Sequence, residues 1–216
     1  MRIAVFALVL SVLPQVAHAD FLDTWIDTYE RNMVEDNVLR GNRPSSGDAA
    51  KSTVVPKRAP RMPAVLAQKL PAAQRAAAEQ QMSGLLVAYD RLTVKLKLTE
   101  RDVAGALALL VCAAYAAYHG HDLPETAFVA TAKQLHQVLG ADAKFGKLAT
   151  ADKQDLYEQL VIAGMQLFVQ NLNAKDDAAH ADVRDAGRRY LAGFGDPDQL
   201  EITDRGLGSR APRSSR

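Results

Sequence analysis

An internal disulfide is excluded at once, because the 216-residue chain holds one cysteine, Cys112. Its neighbours are Val111 and Ala113, and no basic residue lies close in sequence. A reactive thiol needs an electropositive, partly exposed setting, so Cys112 reads as a small buried hydrophobe. Charge of one sign is also missing. Lys and Arg number 26 against 25 Asp and Glu, which excludes a dedicated nucleic-acid binder. Tryptophan occurs once, as Trp25. The chain lacks G-x-S-x-G, a phosphate-cradling glycine loop and H-E-x-x-H, and nothing in it implies a cofactor. No stretch after residue 63 alternates with period two for long enough to predict a sheet.

One further absence organises the rest. From Val103 to Tyr118 there is no charged or amide side chain. A surface helix shows a polar stripe, so this one is expected to be buried on most sides. A bilayer crossing takes about 20 apolar residues, and this run is shorter and rich in alanine. Thr99 is placed to cap the helix, with Asp102 three residues on in a capping-box position. Gly120 is placed to stop it in the left-handed conformation. The predicted helix therefore covers residues 99–119.

The chain begins with Met1-Arg2, an apolar run from Ile3 to Leu13, Pro14, and Ala17-His18-Ala19. This is the pattern of a leader peptide with a small-x-small cleavage site. Cleavage is expected after Ala19, without a lipoprotein cysteine, for a periplasmic or secreted protein. Residues 20–39 carry Phe21, Leu22, Trp25, Ile26, Tyr29 and Met33 at helical spacing, with Asp23, Asp27, Glu30 and Arg31 opposite. Docking of this amphipathic helix on the domain is favoured over a membrane-surface role, since its basic content is low. Residues 40–63 read as a disordered basic linker with Pro44, Pro56, Pro60 and Pro63, and 208–216 as a disordered basic tail.

Residues 64–207 read as a helical domain. Predicted helices run over 71–97, 99–119, 124–140, 150–173 and 177–192. Ala78, Met82, Leu85, Tyr89, Leu92 and Leu96 form a seam on the first. Phe128, Ala132, Leu135 and Leu139 line the third, and Leu156, Leu160, Ala163 and Leu167 the fourth, with Asp152, Asp155 and Glu158 outside. Val183, Ala186 and Tyr190 face inward on the last, and Leu200-Glu201-Ile202 forms an extended tail that packs back. Gly84, Gly105 and Gly164 sit inside helices, where glycine costs about 1 kcal/mol relative to alanine, so each marks a close helix crossing. The fold class is all-α, with a five-helix core around residues 99–119.

Pro71-Ala72-Ala73-Gln74-Arg75, Asp102-Val103-Ala104-Gly105-Ala106 with Tyr115-Ala116-Ala117-Tyr118-His119-Gly120, and Asp152-Lys153-Gln154-Asp155-Leu156-Tyr157-Glu158 carry a resemblance. Together they resemble a family of secreted bacterial all-helical proteins of unknown function. The likeness spans about residues 64–207, closing on Ile202-Thr203-Asp204-Arg205-Gly206-Leu207. It implies export and a compact helical domain, and it transfers no catalytic residue.

Two candidate sites fall at the end of the uncharged helix. Tyr115, Tyr118 and His119 could line a cavity for a small apolar ligand, with the hydroxyls as its polar groups. His119, His121 and Asp122, with Glu125 near, bear imidazole and carboxylate groups suited to a metal. The expected function is a non-catalytic envelope or secreted interaction module with an envelope protein partner. The alternatives are a carrier of a small apolar ligand and a metal-dependent hydrolase.

Overall fold

The computed structural model describes residues 53–210. The expected leader, the amphipathic helix over 20–39, most of the basic linker and the last residues of the tail lie outside the described residues. Within them the fold is all-α. Its helices are α1 (Met62–Ala67), α2 (Ala72–Lys95), α3 (Val103–His119), α4 (Glu125–Ala141), α5 (Ala143–Gly146), α6 (Thr150–Asn173) and α7 (Asp177–Ala192). A short antiparallel hairpin, β1 (Leu200–Thr203) and β2 (Gly206–Ser209), closes the described chain, with Ile202 opposite Leu207. The five long helices are the five that the periodicity predicts; α1, α5 and the second strand are additions to it.

α3 is the centre. Every residue from Val103 to Ala117 is buried, and α4, α6 and α7 pack around it. No helix among the described residues is long and apolar enough to cross a membrane. Gly120 ends α3 at φ +70°, donating its N–H to the Ala116 carbonyl at 2.9 Å. The start differs from the expected capping box. Asp102 itself is the cap, and its Oδ1 accepts the Ala104 N–H at 3.0 Å. Thr99 lies outside the helix, because the chain reverses through Lys97 and Arg101, both at positive φ, before α3 begins. A carboxylate at the cap position satisfies a free donor and meets the positive end of the helix.

α2 packs Ala78, Met82, Leu85 and Tyr89 inward, as predicted. Thr150 opens α6 from inside, and Ala149 holds the cap position. Gly140 does not stop α4; the helix runs to Ala141 and breaks at Asp142, whose Oδ1 then caps α5 through the Phe145 N–H at 2.7 Å. The extended tail packs back as a hairpin rather than a single strand. Gln134 on α4 reads both backbone groups of Leu207, donating Nε2–H to its carbonyl at 2.8 Å and accepting its N–H at 2.7 Å. One amide side chain thus does the work of a third strand at this edge. Four-residue strands, one of them Gly-Leu-Gly-Ser, are too short to show a period of two.

The glycines divide. Gly164 is a true crossing point: a Cβ there would lie 2.9 Å from the Leu110 backbone nitrogen on α3. Gly187 on α7, which the sequence did not single out, is tighter, since a Cβ would meet the Ala114 carbonyl oxygen at 2.6 Å. Gly105 faces the Tyr89 hydroxyl at 3.0 Å instead of a backbone, and Gly84 faces nothing within 4 Å. Gly84 therefore marks no crossing.

Gly187→Ala is expected to destabilise the protein by about 1–3 kcal/mol, because backbone rather than a flexible side chain must move. Gly84→Ala is expected to stabilise it by up to about 1 kcal/mol through helix propensity. Urea unfolding of the two variants checks both signs.

Candidate functional site

The C-terminal end of α3 gathers the residues singled out by sequence. The Tyr115 ring lies 4.3 Å from the His119 ring and 5.8 Å from that of His121, while Tyr118 lies 4.9 Å from His119. His119 and His121 stack at 5.8 Å. The rings meet each other, with Tyr115 in the core and Tyr118 half-buried. The Tyr118 hydroxyl donates to Asp198 at 2.7 Å. Behind these rings the backbones of α3 and α7 touch at Gly187. Asp122 is exposed and makes no third corner: among the described residues no three His, Cys, Asp or Glu side chains are placed to hold a metal. One loose end remains, the His119 Nε2, which is buried without a hydrogen-bond partner. Burial first, then the nearby His121 and Arg210, holds the His119 imidazole below its ordinary pKa.

The N-terminal end of α3 holds a polar network that the sequence reading did not anticipate. Glu158, expected in a solvated stripe on α6, is 1% exposed. Its Oε2 accepts the Arg61 and Met62 backbone N–H groups, each at 2.9 Å, and its Oε1 accepts the Gln154 amide at 2.5 Å. Gln154 in turn accepts from the Arg101 guanidinium at 3.0 Å. Arg101 lies over the Tyr157 ring, 5.3 Å from its centroid, and donates Nε–H to the Pro56 carbonyl at 3.1 Å. Asp155, also expected outside, is half-buried and takes the Arg61 guanidinium at 2.6 Å. Burial pushes its carboxyl up from the usual value, against the pull of Arg61.

These partners share a destination. Arg61, Met62, Pro56, Val55 and Thr53 all belong to the stretch expected as disordered linker. Val55 donates its N–H to the Arg101 carbonyl at 3.0 Å and is buried, and Val54 forms a bridge with Asp102. The linker boundary at residue 63 is thus too late: Thr53, Val55, Met62 and Pro63 are buried in the domain, with residues 56–61 exposed between these anchors. Composition misses this because the apolar anchors, Val55 and Met62, are too few to form a pattern, and backbone groups, which every residue has, supply the remaining hold.

Thr53, His136 and Asp102 suggest a nucleophile, base and acid, but the geometry denies it. Thr53 Oγ1 lies 3.1 Å and Asp102 Oδ2 2.7 Å from the same atom, His136 Nδ1. A relay needs the two partners on opposite ring nitrogens. The arrangement joins three elements: Asp102 capping α3, His136 on α4, and Thr53 at the start of the described chain. Each Asp102 oxygen is engaged, one by Ala104 and one by His136. A shallow depression on α7 between Asp177, His180, Arg184 and Asp185 is formed by that helix alone.

The chain belongs to DUF6683, a family of unknown function, whose match covers residues 6–210. It extends well ahead of the 64–207 span of the expected likeness and takes in the amphipathic stretch and the linker. No curated protein and no solved structure matches the chain.

Glu158→Ala is expected to cost about 1–3 kcal/mol by leaving buried donors unmet, and to speed hydrogen exchange at the Met62 amide. Equal protection at Met62 in the variant would show that the carboxylate does not hold the segment. His119 gives a pH dependence. Its folded pKa lies below the unfolded value of 6.5, so the unfolded chain takes up the proton first. Stability is therefore lost as pH falls below about 6.5 and the unfolded state gains protons. Urea unfolding on either side of that pH is expected to show the loss in the native sequence and a weaker one in His119→Gln.

Proposed function

We propose that the protein is an exported, non-catalytic interaction module that acts in the cell envelope or outside the cell by binding a protein partner. The observation that supports this most is the commitment of its two most deeply buried carboxylates. Glu158 holds two backbone N–H groups at the start of α1 and Asp102 one at the start of α3, and each also meets a neighbouring side chain. Catalytic carboxylates need a free lone pair or a displaceable proton facing a substrate. Here those lone pairs fix the architecture. The leader pattern of residues 1–19 supports export, and the near-balance of charge supports a protein partner over a polyanion. Tyr115, Tyr118, His119 and His121 support a packed end better than a carrier's cavity.

Two measurements test the reading. Expressed in a bacterial host, the full chain is expected in the envelope or medium with Asp20 as its first residue. Retention in the cytoplasm with Met1 intact would overturn the export half. The purified protein is expected to carry no stoichiometric metal by elemental analysis and no apolar ligand by native mass spectrometry, and to give a saturable adduct with one envelope protein on cross-linking in cells. A bound metal with hydrolytic turnover, or a co-purifying apolar ligand, would overturn the non-catalytic binding half.

A further inference from the structure

We propose that the strap of residues 56–61 is a processing site, hydrolysed after Lys57 or Arg58 by a protease that recognises a basic side chain. These six residues form the longest unbroken exposed run among the described residues, and they belong to neither helix nor sheet. Pro56 and Pro60 fix their own φ and bias the residues before them, Val55 and Ala59, toward extended backbone. The run is tied at both ends. Upstream, Val55 is buried and donates its N–H to the Arg101 carbonyl at 3.0 Å, and the Pro56 carbonyl accepts from the Arg101 guanidinium at 3.1 Å. Downstream, Arg61 and Met62 donate their N–H groups to Glu158, each at 2.9 Å. Between these anchors the chain is open to solvent.

Extended peptides are recognised through their backbone groups, with pockets reading the side chains, and a carboxylate at the base of a protease's pocket selects a basic one. The strap meets both demands. The backbone N–H and C=O groups of Lys57, Arg58 and Ala59 make no backbone hydrogen bond to a described residue. The side chains of Lys57 and Arg58 are exposed and form no ion pair with a described residue. Arg61 differs, since its guanidinium is held by Asp155 at 2.6 Å and the bond after it runs into buried Met62. The remaining described lysines and arginines lie in helices, in or beside the hairpin, or in connections with shorter exposed runs. Exposed irregular chain is where nicking concentrates. Cleavage adds water across one peptide bond. After Arg58, the carbonyl carbon gains the hydroxyl and ends as a carboxylate, and Ala59 leaves as a new amino terminus. The two anchors then belong to different chains. Arg61 and Met62 stay on Glu158, so the helical domain keeps its own contacts, while everything upstream loses its covalent hold on it. This inference does not rest on the proposed partner. Leader removal would cut after Ala19, so a retained Met1 tests export and not this site.

Trypsin at low ratio to the native full chain is the first probe, with the first residue of the surviving domain read by mass spectrometry. A lasting fragment that begins at Arg58 or Ala59 is expected, with its helical circular dichroism retained. The strap is expected to be cut at least about tenfold faster than any bond within residues 62–207, because those bonds must first open. A lasting fragment that begins at Ser52, cut after Lys51 with the strap intact, would overturn the proposal, and so would strap cleavage no faster than loss of the domain. The second probe is the chain with a C-terminal epitope, recovered from its own organism. A species that begins at Arg58 or Ala59 is expected, and it is expected to disappear in the double variant Lys57→Gln, Arg58→Gln, whose circular dichroism serves as the folding check. Recovery only with the upstream residues attached, or a species of the same size from the folded variant, would overturn the proposal.

Discussion

α3 has no side that tolerates water, and the rest of the architecture follows from that constraint. A rod apolar on all sides cannot sit on a surface. It has to be enclosed by several helices, and here α4, α6 and α7 enclose it. Enclosure by short side chains then demands close approach. Alanines along α3 bring the neighbouring backbones near, and glycine replaces alanine where even a methyl group is too large. At Gly164 on α6 and Gly187 on α7 a neighbour lies directly against the α3 backbone. Around these close approaches the core packs large, fully buried side chains, Tyr89, Tyr157, Leu107 and Leu160 among them, and such a core is intolerant of added volume.

Enclosing a helix also encloses its ends, where backbone groups lack intrahelical partners. The C-terminal end resolves this locally with Gly120. At the N-terminal end a carboxylate, Asp102, is brought into a dry place and then needs partners of its own, which are Ala104 and His136. The same logic recurs at Glu158, which is carried inside by α6 and is matched by backbone donors at the start of α1. Removing one member of such a group leaves a buried donor or charge unmatched, which costs far more than the assembled group contributes. Its value lies in specificity. Residues 53–62 bury the apolar side chains of Val55 and Met62, and hydrogen bonds to Glu158, Arg101 and Asp155 fix where the rest of the segment lies.

Period and composition made α3 and its neighbours legible. Ala78, Met82, Leu85 and Tyr89, and likewise Phe128, Ala132, Leu135 and Leu139, declare their inward faces because a regular helix maps sequence onto angle. The polar interior was not legible for the converse reason. Nothing in the local sequence of Glu158 separates it from a solvated glutamate, since its burial depends on a segment 96 residues away. Gly84 and Gly187 show the same limit from the other direction. Both are glycines within helices, and only the identity of the neighbour, open space in one case and the Ala114 carbonyl in the other, decides which is required. The ring cluster at the end of α3 lay between these cases. Adjacency in sequence brought Tyr115, Tyr118, His119 and His121 together, but the contact of Tyr118 with Asp198, 80 residues on, depended on the fold.

Among the described residues four buried side-chain atoms, on Tyr89, His119, Asp155 and Gln166, lack a hydrogen-bond partner and show where the packing is not fully resolved in favour of polarity. The Tyr89 hydroxyl is buried and unbonded, and burial pushes its pKa well above the ordinary phenol value. It lies over Gly105, so a glycine in the first turn of the central helix is explained by a hydroxyl on α2 that itself makes no hydrogen bond. Phenylalanine at 89 would remove an unmet group and leave the ring in place beside Tyr157, 6.2 Å away. The change should be neutral or stabilising by about 1 kcal/mol, and it would make room for alanine at 105. Coupling between the two substitutions in a double-mutant cycle would show that one close contact sets both residues. Strict additivity would mean that Gly105 answers to something other than the hydroxyl above it.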